Sequence, residues 1–117
     1  MIVNNTGRTV RIYAEGRPDG VDDIDFSLLH VFDPDPPAVQ LTPMPLVTLY
    51  EDDVPVELVE YGHADNLPAP QDGIRRIVPL DVALSLSHRR DDLLVTYRPV
   101  TTADGTVIGY RELAQPV

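Results

Sequence analysis

Short runs of alternating apolar and polar residues recur along the chain and predict β-strands. Residues 9–13 alternate and are rich in β-branched and aromatic side chains, which is typical of a half-buried strand. Residues 2–3 predict a short strand before it, with residues 4–7 as a hairpin turn. The apolar run 26–32 has the length of a strand, and the prolines within 33–37 end it.

Prolines interrupt the segment from residue 38 to residue 61, which predicts three short strands rather than one long one. The strands are 38–41, 46–50 and 56–61, and the last of them alternates without a break. Residues 51–55 predict a five-residue hairpin loop between the second and the third. Because proline lacks an N–H and is confined to edge strands and turns, we expect edges and corners in this segment.

After residue 73 the period of the pattern changes from strand to helix and back. Residues 74–78 predict a strand, and apolar residues at helical spacing predict a helix over 80–89. Strands follow at 93–97 and 107–110. Asp104-Gly105 between them is a strong hairpin signal.

These elements predict a single domain over residues 1–117 of the α+β class. We expect a mostly antiparallel β-sheet, arranged as a proline-broken meander, with one helix near residues 80–89. A chain of 117 residues is long enough for one hydrophobic core and too short for two.

Charge divides the chain into two unequal parts. Nine basic residues, all arginine, oppose nineteen acidic ones, and residues 15–72 hold fourteen of the acids and only Arg17. This excess argues against nucleic-acid binding, because it repels phosphate backbones, and against anionic membranes. It predicts an acidic face that meets a basic surface on a protein partner. The candidate contacts are Asp19, Asp22, Asp23, Asp25, Asp33, Asp35, Asp52 and Asp53.

Little in the sequence indicates catalysis. The absence of cysteine excludes disulfides, thiolate zinc sites and cysteine nucleophiles, and the absence of lysine excludes Schiff-base chemistry. His30, His63 and His88 stand far apart, with no second ligand at metal spacing. The acids that begin at Asp23 lack the glycine of an EF-hand loop. We therefore expect no enzyme, no cofactor and no metal.

A second candidate surface is basic. Arg75, Arg76 and Arg90 are candidate contacts for a small anionic ligand or a partner carboxylate. The segment 89–92 also fits a helix end that complements its dipole and pairs its charges locally. The sequence leaves both interpretations open.

Two further features bear on where the protein works. The first residues lack the cationic and apolar regions of a secretory signal, and no window is apolar enough to span a membrane. We therefore expect a soluble, cytoplasmic protein. The absence of lysine beside abundant arginine, alanine and proline is typical of a GC-rich genome.

Residues 66–113 carry a set of short motifs. They are Leu67-Pro68-Ala69-Pro70, Gly73, Ile77-Val78, Val82-Ala83, Arg90-Asp91-Asp92-Leu93, Asp104-Gly105 and Val107-Ile108-Gly109. In these motifs the chain resembles a family of short, largely uncharacterised proteins from phages and their actinobacterial hosts. Arg76, Pro79 and Tyr110 depart from the family's pattern, which has Tyr, Ser and Cys there. The resemblance implies phage-linked biology, in the cytoplasm of a host cell, and no mechanism.

We therefore expect a non-catalytic interaction protein of phage or prophage type, which presents the acidic residues 15–72 to a basic partner. One form is inhibition of a nucleic-acid-binding protein by charge mimicry. One alternative is a component of a phage particle or its assembly, which uses exposed strands and forms a homo-oligomer. Another is a binder of small anions through the three arginines. A fourth interpretation is that the acidity only keeps the protein soluble.

Overall fold

Eight strands and one short helix make up the fold in a computed structural model that describes all 117 residues. Strands β1 to β5 are Ile2–Asn4, Val10–Tyr13, Leu28–Phe32, Gln40–Glu51 and Val54–Asp65. Strand β6 (Arg75–Ile77), helix α1 (Leu80–Leu86) and strands β7 (Leu93–Thr101) and β8 (Val107–Ala114) complete the chain. A mostly β structure with one helix after the middle of the chain is thus confirmed.

Six of the strands form one sheet, in the order β1-β6-β7-β8-β2-β3, that curls into a nearly closed barrel. The closure lies between β1 and the chain just after β3, where Asn4 bridges Pro34. There Asp35 N donates to Asn4 O at 2.8 Å, and the Asn4 side-chain amide donates to Phe32 O at 2.9 Å. Asn4 is buried, so these bonds satisfy polar groups that water does not reach.

The strand order differs from the simple meander predicted for the N-terminal half. β1 runs parallel to β6, with Ile2 opposite Arg75, so residues 4–7 are not a hairpin turn between β1 and β2. β6 also runs parallel to β7, and β2 pairs in parallel with β8 through Ile12 and Tyr110. The sheet is therefore mixed. The antiparallel ladders β2–β3, β4–β5 and β7–β8 still supply most of the paired residues.

The turn between β7 and β8 follows the predicted hairpin. Gly105 has a positive φ of 86°, and the Asp104 carboxylate accepts hydrogen bonds from the Thr102 hydroxyl and, at 3.0 Å, from Thr106 N. These bonds, led by the one from Thr102, lower the pKa of Asp104 to about 2. The ionised carboxylate therefore holds this turn.

Helix α1 is shorter than predicted, at seven residues. Pro79 stands at its N-cap, and Asp81 in the first turn places a negative charge at the positive end of the helix. The backbone N–H groups of Arg89 and Arg90 both donate to Leu86 O at 2.9 Å, which closes the helix three residues before the predicted end. The arginines thus follow the helix instead of extending it.

The core has two parts. One lies between α1, β7 and the start of β4, and contains Val39, Val78, Val82, Ala83, Leu86, Leu93 and Val95. The other lies against β2, β6 and β7, and contains Val10, Ile12, Ile77 and Leu94. Leu41 and Ala64 pack on the first part, so the base of the β4–β5 hairpin is anchored to the barrel.

Residues 14–27 form a loop that is ordered around a buried arginine. Arg17 is 1% exposed, and its guanidinium donates to Val21 O at 2.8 Å and Asp23 O at 3.1 Å. It also lies 4.5 Å from the centre of the Tyr13 ring, a cation–π contact. Burial raises the pKa of the Tyr13 hydroxyl, which donates to Ile24 O at 2.7 Å.

The molecule is more extended than its length requires. Its radius of gyration is 17.5 Å, whereas a compact chain of this length has about 13 Å. The excess reflects the β4–β5 hairpin, whose strands are twelve residues each and mostly exposed. No helix has the length and apolar character needed to cross a membrane.

Candidate interaction surface

Strands β4 and β5 form a two-stranded antiparallel ribbon, residues 40–65, which we call the arm. The ladder runs from Gln40 opposite Asp65 at the base to Glu51 opposite Val54 at the tip. Asp52 and Asp53 connect the strands, with φ values of 50° and 62°. Two central residues with positive φ are the mark of a type I′ turn, whose twist matches that of the ribbon. The predicted five-residue loop is therefore a two-residue turn.

Proline does not break the arm because both of its strands are edges. Pro45 lies opposite Val59 and Pro55 opposite Tyr50, within the ladder. A strand with one open side loses no ladder bond when the proline nitrogen faces that side. The register shifts on both sides of the Met44–Pro45 segment, so the strain of the prolines is absorbed there as irregularities.

On residues 47–58, which we call the outer arm, one face is apolar apart from Glu51 at its end. Residues directly opposite each other share a face, so Val47 with Leu58, Leu49 with Val56, and Val54 at the tip lie on the same side. We call these five residues the apolar arm face. Their side chains are between 40% and 57% exposed. Nothing in the chain covers them.

The opposite face of the outer arm is more polar. The Thr48 hydroxyl donates to the Glu57 carboxylate directly across the ladder. Tyr50 and Pro55 form the next pair on that face, and Tyr50 is 75% exposed. The two faces differ in chemistry, so the arm has an apolar side and a polar side.

The arm is also strongly acidic. It holds six carboxylates and no arginine, namely Glu51, Asp52, Asp53, Glu57, Glu60 and Asp65. Three of them are consecutive at the tip. None of these three takes part in the ion pairs of the chain, which join other residues. The tip is therefore an uncompensated negative charge at the end of an apolar strip.

Charges of both signs lie at the base of the arm, where arginines from the end of α1 stand near the arm's own Glu60 and Asp65. Arg89 donates through Nη2 to Gly62 O at 2.6 Å and forms no ion pair. His63, Arg89 and Arg90 line a recess of about 280 Å³ between the arm and the end of α1. Arg90 is already neutralised there, because it binds Asp92 through two nitrogens, each at 2.8 Å. Arg89 is thus the arginine without an ion pair at the base, and the nearby carboxylates of Glu60 and Asp65 offset its charge.

The eight acids predicted to contact a partner lie in four settings. Asp19 and Asp22 face the β7–β8 hairpin, where they accept from Thr101 N at 3.3 Å and Ala103 N at 3.0 Å. Asp23 and Asp25 belong to the loop around Arg17, in which Asp25 N donates to the Asp23 carboxylate at 3.0 Å.

The other four acids lie elsewhere. Asp33 and Asp35 follow β3, beside the closure of the barrel at Asn4. Asp52 and Asp53 form the turn at the tip of the arm. Of the eight, these last two belong to a projecting element, and they adjoin the apolar arm face.

The three predicted anion contacts do not converge on one open site. Arg75 and Arg76 are consecutive in β6, so their side chains leave opposite faces of the sheet. Arg75 donates to the Gln115 side chain. Arg76 is buried and donates to Asn5 Oδ1 at 3.1 Å and Gln71 Oε1 at 2.6 Å. Arg90 is engaged by the two hydrogen bonds that it donates to the Asp92 carboxylate.

Two of the motifs that carry the family resemblance, residues 67–70 and 90–93, meet beside these arginines. Arg76 N donates to Asp92 O at 2.8 Å, and Arg90 donates to Pro68 O at 3.0 Å. The hydrogen bonds from Arg90 lower the pKa of the Asp92 carboxyl, so the pair is ionised over a wide pH range. Gln71, Asp72, Asp91 and Asp92 also line a wider recess of about 510 Å³, in which Arg75 is the one arginine. This lining repels an anion more than it attracts one.

The histidines remain apart from one another. His30 is exposed on β3 and stacks on Phe32 with ring centres 6.0 Å apart. His63 lies 3.4 Å from the Asp65 carboxylate at the arm base, with both side chains exposed. No group of three or more His, Asp or Glu side chains is arranged to hold a metal ion.

The chain matches no protein-family model, no curated protein and no solved structure. The function is therefore inferred from the geometry of the surface. Sequence reasoning missed its main component, the apolar arm face, although the alternation of Val56 and Leu58 was its visible sign. Alternation normally indicates a half-buried strand, and only the structure shows that this one has no neighbour to cover it.

Proposed function

We propose that the protein is a non-catalytic interaction protein, of the phage or prophage type that the resemblance implies, and that it binds a protein partner through the arm. The observation that carries this proposal is the uncovered apolar arm face. A two-stranded ribbon is only marginally stable by itself in water, and a third strand or an element packed over its apolar side stabilises it. Contiguous exposed apolar surface of this kind marks protein interaction sites.

The charge of the arm adds a condition on the partner. The carboxylates of Glu51, Asp52 and Asp53 stand at one end of the apolar strip, so a complementary surface has an apolar groove with a basic end. The proposed partner is therefore basic, as expected from the sequence. The proposed contact surface is smaller than residues 15–72 and consists of the arm, because Asp19 and Asp22 are engaged by the β7–β8 hairpin.

A comparison of two variants tests the proposal. In L49T/V56T both members of a cross-strand pair on the apolar arm face become polar, while threonine keeps the β-propensity of the strands. In the control L29T an exposed leucine on β3 of the barrel, away from the arm, is changed. Each tagged protein is used to capture partners from cells that express it, and bound proteins are quantified against the wild type.

We expect the wild type and L29T to retain the same partner, and L49T/V56T to lose at least tenfold of it. Retention should also fall between roughly 50 and 500 mM salt, because exposed charges at the tip are screened. Equal retention by L49T/V56T and the wild type would contradict the proposal.

A role in particle assembly is the second candidate, and one observation favours it. Both strands of the arm have an open edge, and open edges pair with strands of other chains. Under this alternative the retained partner is a particle protein and binding is insensitive to salt. Binding of a small anion has weaker support, since Arg76 and Arg90 are occupied by other side chains.

A further inference from the structure

We infer that the partner presents an extended basic segment, and that this segment adds to the open edge of β5 as a third strand of the arm. This inference rests on the proposed function, because it names the part of the partner that meets the arm and the edge that receives it. It follows from the backbone groups that β5 leaves free and from the carboxylate and apolar side chains beside them.

The outer edge of β5 has backbone groups without a partner in the chain. The arm is a sheet of two strands, and no backbone hydrogen bond outside its ladder involves residues 54–61. The first group that fills the edge is the Arg89 guanidinium, which donates to Gly62 O at the base. The edge is therefore open from the tip to residue 61, as the addition of a strand requires.

The hairpin turn determines which residues of β5 point to this edge. In a two-residue hairpin the residues that flank the turn, here Glu51 and Val54, exchange both hydrogen bonds, and the pairs alternate from there. Pro55, Glu57 and Val59 then direct their backbone groups outward. The position of Pro55 agrees with this, because its nitrogen has no N–H to lose on the open side. The edge thus offers the N–H groups of Glu57 and Val59 and three carbonyl oxygens.

The edge of β4 is less suitable. Pro43 and Pro45 have no N–H, and one extra residue lies between Pro45 and Val47, where the register shifts. An added strand would have only the short segment between this irregularity and the tip, where the first carboxylate is that of Glu51. The ladder is regular on β5 over residues 54–60, so β5 is the favoured edge.

The side chains along β5 define the chemistry of the added segment. Glu57 forms no ion pair, and a residue directly opposite it on the added strand shares its face, so that residue is basic. The residues on either side lie next to Val56 and Leu58 on the other face, so they are apolar. The segment therefore alternates apolar and basic residues. It widens the apolar arm face to three strands, the number at which a sheet with one apolar face becomes stable.

A second copy of this chain does not meet these conditions. Its β5 carries Glu57 where a basic residue is needed, and the net charge of the chain is −10. At the base, Arg89 and Glu60 offset each other's charge. The attraction for a basic segment is therefore greatest along the outer arm, which has four carboxylates and no arginine, namely Glu51, Asp52, Asp53 and Glu57.

A peptide that alternates the two kinds of residue, Thr-Val-Arg-Val-Arg-Val-Thr with capped ends, tests the inference on the full chain. We expect it to bind and to protect the amides of Glu57 and Val59 from hydrogen exchange, while those of Thr48 and Tyr50 on the other edge stay unchanged. A shuffled peptide in which the arginines are adjacent has the same charge without the alternation. It should bind about tenfold more weakly or worse.

Methylation of the peptide backbone separates strand addition from attraction between charges alone. Methyl groups on the arginine nitrogens remove donors from one edge of the peptide strand, and methyl groups on the valine nitrogens remove them from the other edge. One set should abolish binding, and the other should leave the affinity within about threefold, because an added strand uses alternate residues. The set that abolishes binding also shows the direction of the strand.

A charge reversal tests the site on the protein. Glu57→Arg should weaken binding of the alternating peptide about tenfold or more, because it places like charges opposite each other. The matched control Asp33→Arg makes the same change at an exposed residue of the barrel and should alter the affinity less than about threefold. Thermal denaturation of both variants verifies that the fold is intact.

Four results would overturn the inference: no binding of the alternating peptide, equal binding of the shuffled one, equal effects of the two methylated sets, or protection confined to the β4 edge. Failure here is separable from failure of the proposed function. If the peptide test fails and L49T/V56T still loses a captured protein, the partner covers the apolar arm face without adding a strand. If L49T/V56T loses nothing, the proposed function falls, and this inference falls with it.

Discussion

At Gly109 the sheet leaves no room for a side chain. A Cβ atom there would lie 2.5 Å from the Tyr13 ring and 2.6 Å from Arg11 O, because β2 and β8 approach closely. We expect Gly109→Ala to lower the free energy of unfolding by about 2–3 kcal/mol, measured by urea denaturation.

Gly62→Ala is the matched control for this position. A Cβ atom at Gly62 would meet nothing closer than 3.6 Å, at the Glu60 carboxylate. Its effect should therefore stay below about 1 kcal/mol. Equal losses in the two variants would show that β2 and β8 do not approach as described.

The Asp92 carboxylate links folding to pH. Its pKa is lower in the folded protein than the usual 3.8, chiefly because Arg90 donates two hydrogen bonds to it. Ionised Asp92 therefore stabilises the fold above that usual value, and the contribution is lost as the pH falls through the lowered, folded-state pKa. In Asp92→Asn this part of the acid destabilisation should disappear, at a cost of about 2 kcal/mol near neutral pH.

Unfolding free energy measured from pH 7 down to pH 2 checks this expectation. The control is Asp91→Asn, which changes the neighbouring exposed carboxylate and should follow the wild-type curve. An Asp92→Asn curve parallel to that of the wild type would contradict it.

The role of a residue could be predicted from the sequence where its hydrogen-bond partner lies only a few positions away in the chain. The Asp104-Gly105 turn was predicted because both hydrogen bonds to Asp104 come from residues two positions away. The roles of Arg75 and Arg76 could not be predicted in this way, because their hydrogen-bond partners Gln115 and Asn5 are remote in the chain. The same holds for Arg17, which a count of charges cannot distinguish from an exposed arginine.

At the scale of the element, the arm depends on its turn. Asp52 and Asp53 both adopt positive φ, which asparagine and glycine accept at lower cost. We expect the variant D52N/D53G to raise the local stability of the arm by about 1 kcal/mol, because it relieves this strain. Hydrogen exchange of the amides in β4 and β5 measures the effect.

Charge also changes in that variant, so the control is D52N/D53N. It removes the same two carboxylates and lacks the glycine. We expect its exchange rates to lie between those of the wild type and D52N/D53G. If the two variants protect the arm equally, the relief of repulsion at the tip and not the turn conformation is responsible.

The arm also shows why strand lengths were underestimated. Pro43, Pro45 and Pro55 divided the pattern into short strands, a correct inference for a sheet with neighbours on both sides. In a ribbon each strand keeps one open edge, so the prolines are tolerated. Sequence patterns report the faces of a strand, and they do not report whether its edges are paired.

At the scale of the molecule, the closure of the barrel could not be predicted from the sequence. β1 pairs with β6 across more than seventy residues of sequence. Neither three-residue strand has a sequence pattern that would identify the other as its partner. The buried Asn4 and Asn5 mark the junction, yet their sequence is that of an ordinary turn. Local signals were sufficient for the helix and for the β7–β8 hairpin, which are contiguous units.

Most of the arm lies outside the hydrophobic core of the barrel. The arm beyond Leu41 and Ala64 contributes no residue to either part of the core. Met44 and Glu60 face each other across the ladder, so residues 45–59 can be replaced by Asn-Gly to form a shorter hairpin. We expect the shortened chain to unfold cooperatively in urea, with a free energy within about 2 kcal/mol of the full chain. Its radius of gyration, by X-ray scattering of the monomer, should fall from 17.5 Å toward the roughly 13 Å of a compact chain. Loss of the cooperative transition would mean that the arm is part of the folding unit, and an unchanged radius would mean that it does not project from the barrel.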